Sequence, residues 1–210
     1  MTNQADPGGK MPFAMGTVRI ADDDGRHVLV VNGVIQSVAP KDAVAWGSYW
    51  AAMVPPFAPR RALVLGLGGA TLPRLMVHRW GANDVIVGVD DDAEVLQVAR
   101  ADGWLDVPGL EAVCEDAFAF VQRCGQRFDY VGVDLYRGGE FPHRVLHQEF
   151  LGQLAALLDP PAWLCVNLYG PHVAATGLAS IRHLFEVSHA VPVGENLVVH
   201  ANVKGAPRGE

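Results

Sequence analysis

Residues 62–90 read ALVLGLGGATLPRLMVHRWGANDVIVGVD, and the architecture of the chain follows from them. Ala62 to Leu65 is a short apolar run between an arginine pair and a glycine, the pattern of a strand buried on both faces of a parallel sheet. Gly66, Gly68 and Gly69 come next, and Thr71 and Pro73 then open a helical pattern with Leu72, Leu75 and Met76 on one side. A second apolar run, Val85 to Val89, ends on Asp90-Asp91-Asp92. Strand, glycine turn, helix, strand and terminal acid compose a nucleotide-cradling βαβ unit. The glycines let backbone approach a ligand, and the acid accepts the two hydroxyls of a ribose. Thr71 stands where a dinucleotide fingerprint has its third glycine, which counts against NAD and leaves other adenosine ligands open.

Outward from this unit the chain divides into four parts. Residues 1–15 are polar and Gly/Pro-bearing and are expected to be a flexible tail. Residues 16–59 form a small β unit with a linker helix. Thr17 to Ile20 and His27 to Val31 alternate as strands, Asn32-Gly33 signals a tight turn into Val34-Ile35, and Lys41 to Met53 reads as helix. Residues 60–203 are the main domain, and 204–210 a second flexible tail. After Asp92, which suits a helix cap, come a helix to about Gly103, a strand at Leu110 to Cys114 and a helix at Ala117 to Cys124. A strand at Tyr130 to Val133 ends on Asp134. Val145 to Leu158 is the clearest amphipathic helix, followed by a strand at Trp163 to Leu168 and a helix at His172 to His183. Phe185 to Val203 is expected to be a hairpin turning at Gly194-Glu195. Alternating strands and helices make an α/β, doubly wound fold.

The acids fall at informative places. In an open α/β sheet, ligands sit beyond the carboxyl ends of the strands, where Gly66 to Gly69, Asp90, Asp116 and Asp134 all lie. Each aspartate alone is equally well a helix cap or turn residue. As a set at successive junctions they suit an adenosine ligand.

Composition narrows the partners. The net charge is −7, so a nucleic-acid backbone is not expected as a partner. No apolar stretch is long enough to span a membrane, no secretory leader is evident, and the expected location is cytoplasmic. Cys114, Cys124 and Cys165 contain no C-x-x-C pair and read as reduced core thiols. His143 and His147 are spaced for one helix face but lack further ligands, so no metal is expected.

GLGGATLPR, VGVDDDAEVLQVA, EDAFAFV, FDYVGVDLY and HQEFLGQLAALLDP, in that order, resemble the spermidine synthase-like branch of the class I S-adenosylmethionine-dependent methyltransferase superfamily. VNGVIQS upstream is similar to that family's D-G-x-x-Q segment. The resemblance implies a Rossmann-like seven-stranded sheet ending in an antiparallel hairpin, and a homodimer. It implies S-adenosylmethionine or its decarboxylated form as cofactor. Gly66 and Gly68 would line the methionine portion, Asp90 would bind the ribose, and Asp116 with Ala117 would hold the adenine. Gln36 would approach the cofactor from the β unit.

The departures concern the acceptor. The family's aminopropyltransferases carry a second acid after the fourth strand, where this chain reads Asp134-Leu135-Tyr136-Arg137. Arginine there removes a base and repels a cationic polyamine. Trp46-Gly47-Ser48-Tyr49-Trp50 stands in place of an expected Tyr-His-Glu segment, and Pro160-Pro161 in place of a Pro-Gly-Gly turn. Asp134 and Tyr136 are the candidate catalytic residues. Trp46, Tyr49 and Trp50 are candidates for an aromatic acceptor wall or for core, Arg137 for binding an acceptor carboxylate, and His143 for shuttling protons beside Asp134. Three readings follow: a methyltransferase acting on a small molecule, an aminopropyltransferase with an alternative base such as Glu140, and a non-catalytic cofactor-binding or interaction protein.

Overall fold

The computed structural model describes residues 18–39, 48–82, 84–136 and 140–204. Trp46, Arg137, the first expected tail, all of the second but Lys204, and most of the expected Lys41–Met53 helix lie outside the described residues.

The chain begins with an antiparallel sheet of β1 (Val18–Asp23), β2 (Arg26–Val31) and β3 (Val34–Val38). Its two turns, Asp24-Gly25 and Asn32-Gly33, have positive φ at both central residues (51° and 79°, 53° and 81°). That geometry matches the twist of the flanking strands, which explains the Asp-Gly and Asn-Gly pairs. A short helix, α1 (Tyr49–Met53), leads into the main sheet.

The main sheet contains β4 (Arg61–Leu65), β5 (Val85–Asp90), β6 (Leu110–Cys114), β7 (Phe128–Val133), β8 (Leu158–Tyr169), β9 (Phe185–Val193) and β10 (Asn196–Val203). Between them run α2 (Thr71–Trp80), α3 (Ala93–Ala101), α4 (Ala117–Arg123), α5 (Gln148–Leu157) and α6 (Pro171–Leu184). The strand order is β6-β5-β4-β7-β8-β10-β9. Pairing is parallel from β6 through β8, and β10 runs antiparallel between β8 and β9. The chain leaves β4 toward β5 and β6, then returns to the other side as β7 and β8. That reversal opens a crevice at the carboxyl ends of β4 and β7.

β4 is apolar throughout because both of its faces are covered. Leu63 and Leu65 pack toward Phe120, Phe150, Leu151 and Leu154 of α4 and α5, while Ala62 and Val64 pack toward Trp50, Met53, Leu72 and Met76 of α1 and α2. The small sheet closes over α3, joining Val18 and Leu29 to Val95, Ala99 and Trp104. Among the described residues no helix is long and apolar enough to cross a membrane.

Three expectations need correction. Val145 to Leu158 is not one helix: a 3-10 turn (His143–Leu146) precedes α5, and His147 between them is extended (φ −70°, ψ 136°). His143 and His147 therefore do not share a helix face. Leu158 already belongs to β8, whose Pro160 and Pro161 could not donate to a continuing helix. Cys114 is exposed, not core, because β6 is the edge strand, whereas Cys165 in β8 is fully buried.

Candidate functional site

The crevice is a cleft of about 490 Å³. Its wall includes Gln36 of β3, Tyr49 of α1, Gly66 and Gly68 after β4, Asp90 at the end of β5, Asp116 and Ala117 at the start of α4, and Asp134 and Tyr136 after β7. The fold thus brings together residues as far apart in the chain as Gln36 and Tyr136.

The glycine turn is forced by packing on two sides. Gly66 has φ 86°, and a Cβ on it would lie 2.0 Å from the carbonyl oxygen of Asp134, so the chain crosses the end of β7 with no room for a side chain. Gly68, at φ 52°, would place a Cβ 2.7 Å from Ser37 Oγ. The Gly69 amide donates to that same Ser37 oxygen at 2.6 Å, and Thr71 Oγ1 accepts from the Val38 amide at 3.0 Å. These bonds dock β3 on the turn. The glycines therefore serve the contact with the small sheet as well as the cleft, and Ser37 is a partner that periodicity in the sequence did not single out.

Asp90 is oriented by backbone. The Gly68 amide donates to Oδ2 at 2.7 Å and the Asp92 amide to Oδ1 at 3.1 Å. Burial pushes the Asp90 carboxyl up from its ordinary value, and these two amides pull it partly back. A carboxylate has about four acceptor sites, so each oxygen retains capacity after accepting one amide. Asp116 and Asp92 are both helix caps, Asp116 accepting from the Ala119 amide and Asp92 from those of Glu94 and Val95. Asp116 is a helix cap and also lines the cleft. A turn without side chains, a carboxylate with spare acceptors and a helix N-terminus fit an adenosine ligand with a ribose diol.

The other end of the cleft is assembled from side chains. Asp134 Oδ2 accepts from Trp50 Nε1 at 3.1 Å and Oδ1 from Asn167 Nδ2 at 2.9 Å, and the Tyr49 hydroxyl bonds the same carboxylate. Burial pushes the Asp134 carboxyl up to about 6 despite these donors. The Tyr136 hydroxyl and Asn167 Oδ1 are buried without a hydrogen-bond partner among the described residues. Asp134 is thus a carboxylate that changes its proton near neutral pH, at the edge of a polar-lined cavity.

Two expected residues stand elsewhere. Trp50 is 7% exposed and sits behind Asp134, so it holds the carboxylate and does not line the cleft. His143 is exposed on the 3-10 turn, edge-on to the Phe141 ring at 6.3 Å, and does not line the cleft either. Sequence reasoning missed Asn167. Its signal was an amide in the otherwise apolar run Leu164 to Leu168, since a fully buried polar side chain needs a partner. Among the described residues no cluster of His, Cys, Asp and Glu is arranged to hold a metal ion.

No protein-family model matches the chain. It is 34% identical over 149 residues to a polyamine aminopropyltransferase of Pyrobaculum arsenaticum, covering 65% of this chain and 51% of that one. It is 29% identical over 133 residues to an N-terminal histidine N-methyltransferase of Emericella nidulans, covering 59% of this chain and 23% of that one. The chain spans about half the length of the polyamine aminopropyltransferases at the head of its matches. The structure of a probable spermidine synthase from Corynebacterium glutamicum superposes on 94% of this chain and 81% of that one, with a TM-score of 0.74 at 18% identity. The fold is that of the spermidine synthase-like class I S-adenosylmethionine-dependent methyltransferases, and the sequence is similar to polyamine aminopropyltransferases over about half of their length.

Proposed function

We propose that the cleft binds S-adenosylmethionine and that the protein transfers its methyl group to a small-molecule acceptor at the Asp134 end. Bound there, S-adenosylmethionine supplies an electrophilic methyl carbon on a positively charged sulfur. The chain contributes position and proton transfer. The glycine turn admits the charged end of the cofactor, Asp90 takes the ribose hydroxyls, and Asp116 with Ala117 faces the adenine. Gln36 closes the cleft from the small sheet, and Tyr49 and Tyr136 flank the acceptor. Asp134 would accept the proton that the acceptor sheds when it takes the methyl group, whose bond to sulfur breaks to leave neutral S-adenosylhomocysteine.

The observation that carries this reading is Asp134 itself: a desolvated carboxylate with a pKa of about 6, on the same cleft as the glycine turn and Asp90. A base so poised is ionised at neutral pH and still basic enough to take a proton. Arg137 follows Asp134 by three positions in the sequence, and a cation there disfavours a polyamine acceptor. Aminopropyl transfer from decarboxylated S-adenosylmethionine is the second reading. It is favoured by the polyamine aminopropyltransferases among the relatives.

Calorimetric titration with S-adenosylmethionine, S-adenosylhomocysteine and decarboxylated S-adenosylmethionine separates the two. The first two are expected to bind more tightly than the third. Labelled methyl is then expected in products from a panel of amines, phenols and carboxylic acids, with Asp134→Asn slowing turnover by about 10² to 10⁴. Preference for the decarboxylated form would replace methyl transfer with aminopropyl transfer. Failure of all three to bind would leave a domain of this fold without the cofactor.

A further inference from the structure

α1 is only five residues long, and the side chain of its N-cap residue, Ser48, forms no capping hydrogen bond. Yet it carries Tyr49 and Trp50, which both bond Asp134. A helix this short leaves its last carbonyls without donors from its own turns. Two of them are taken by side chains from the main sheet. His200 Nε2 of β10 lies 2.7 Å from the Ala52 carbonyl, and the Tyr130 hydroxyl of β7 donates to the Met53 carbonyl at 2.7 Å. Both side chains are buried, and neither lines the cleft.

The tautomer of His200 follows from its other contact. Trp163 Nε1 can only donate, and it lies 2.8 Å from His200 Nδ1, which must therefore accept. The proton is then on Nε2, and His200 donates to Ala52. Burial, with His189 stacked 4.3 Å away, pushes His200 down to about 4, so this neutral form holds through the physiological range. Cys165 Sγ is a more distant neighbour, 3.8 Å from Nε2.

We propose that His200 and Tyr130 are positioning residues that seat α1 so that Tyr49 and Trp50 stay bonded to Asp134. The proposal rests on the reading of Asp134 as the proton acceptor, but it fixes a property that needs no cofactor to observe: the ionisation of Asp134. The titratable groups facing that carboxylate are Tyr49 of α1, Asp90 of β5, Tyr130 of β7, Tyr136 of the following loop and Cys165 of β8. Releasing α1 removes the Tyr49 and Trp50 bonds and leaves only the amide of Asn167. Fewer donors to the charged form raise a carboxyl's pKa.

The test follows the indole N–H resonance of Trp50 in ¹⁵N-labelled, cofactor-free protein across the pH range, assigned by its disappearance in Trp50→Phe. In the unaltered protein its midpoint is expected at about 6. In His200→Leu and in Tyr130→Phe the midpoint is expected to rise by roughly half a pH unit or more. His200→Gln, which can keep a donor facing Ala52, is expected to return it. Global destabilisation alone leaves the midpoint in place, so an unmoved midpoint in the folded variants overturns the proposal. Should His200→Leu fail to fold, Tyr130→Phe deletes a single oxygen and carries the test. A midpoint that moves in a protein with no methyl transfer supports the seating of α1 and removes the role of Asp134 as base, so the two failures are separable.

Discussion

Along β4, β5 and β6 the cleft wall is made of backbone amides, a glycine turn and helix caps, whereas at β7 and β8 it is a carboxylate gripped by side chains from separate segments. At the first end, Asp90 is bonded by the amides of Gly68 and Asp92. At the second, Asp134 is bonded by Tyr49, Trp50 and Asn167. Backbone partners survive most substitutions and change only when the chain itself moves. Side-chain partners can be exchanged one at a time. A fold built this way makes the backbone-lined end of the cleft hard to alter and leaves the side-chain end open to change one residue at a time.

The largest effect is expected where backbone meets backbone. Gly66→Ala places a methyl group 2.0 Å from the Asp134 carbonyl oxygen, at a φ of 86° that alanine adopts only under strain. Neither strand end can retreat without breaking the Asp134 amide bond to the Leu65 carbonyl. The expected cost is about 3 kcal/mol or more, read from the urea midpoint. A midpoint within experimental error of the original would mean that the two ends of the cleft are not locked together.

Asp90→Ala sharpens the comparison from the ligand side. It removes a carboxylate whose burial offsets the gain from its two amide bonds, so the fold is expected to survive with little change in midpoint. The affinity for S-adenosylmethionine is expected to fall about 100-fold, the value of charge-assisted bonds to two hydroxyls. Calorimetry checks both halves of that statement. Unchanged affinity would remove Asp90 from the cofactor site.

The same contrast explains what the sequence revealed. Gly66, Gly68, Asp90, Asp116 and Ala117 are readable because each sits at a strand end fixed by local periodicity, and each lines the cleft. Asp134 and Tyr136 are readable for the same reason. The partners of Asp134 are not, because Trp50 and Asn167 lie 84 and 33 positions away from it. Whether Trp50 faces a ligand or a carboxylate depends on how a five-residue helix is seated, which no local pattern encodes. Ser37 is hidden likewise, since its value lies in meeting the Gly69 amide 32 positions on. The split of the expected Val145–Leu158 helix has a local cause that hydrophobic spacing does not register, the extended backbone of His147.

The smallest effect concerns stability at the side-chain end, and its sign is unusual for a mutation in a core. An unperturbed aspartate ionises near 3.8, and Asp134 in the folded chain at about 6. Between these values the unfolded chain has lost its proton and the folded one has kept it, so stability falls as pH rises from about 4 to about 6 and is level above. Below about 4 both states are protonated and the penalty is absent. Asp134→Asn removes the charge and so the penalty. Its new amide can present oxygen to Trp50, which only donates, and nitrogen to Asn167, whose own side chain can turn over to accept. The gain is expected to be about 1 to 2 kcal/mol at pH 7.5, smaller than the roughly 3 kcal/mol that the pKa difference allows, because neutral hydrogen bonds replace charge-assisted ones. At pH 4 the gain is expected to vanish. Urea midpoints at the two pH values decide it: a loss of stability at pH 7.5 would mean that the three donors more than offset burial of the charge. The carboxylate would then stabilise the fold, and the side-chain end of the cleft would be held as firmly as the backbone end.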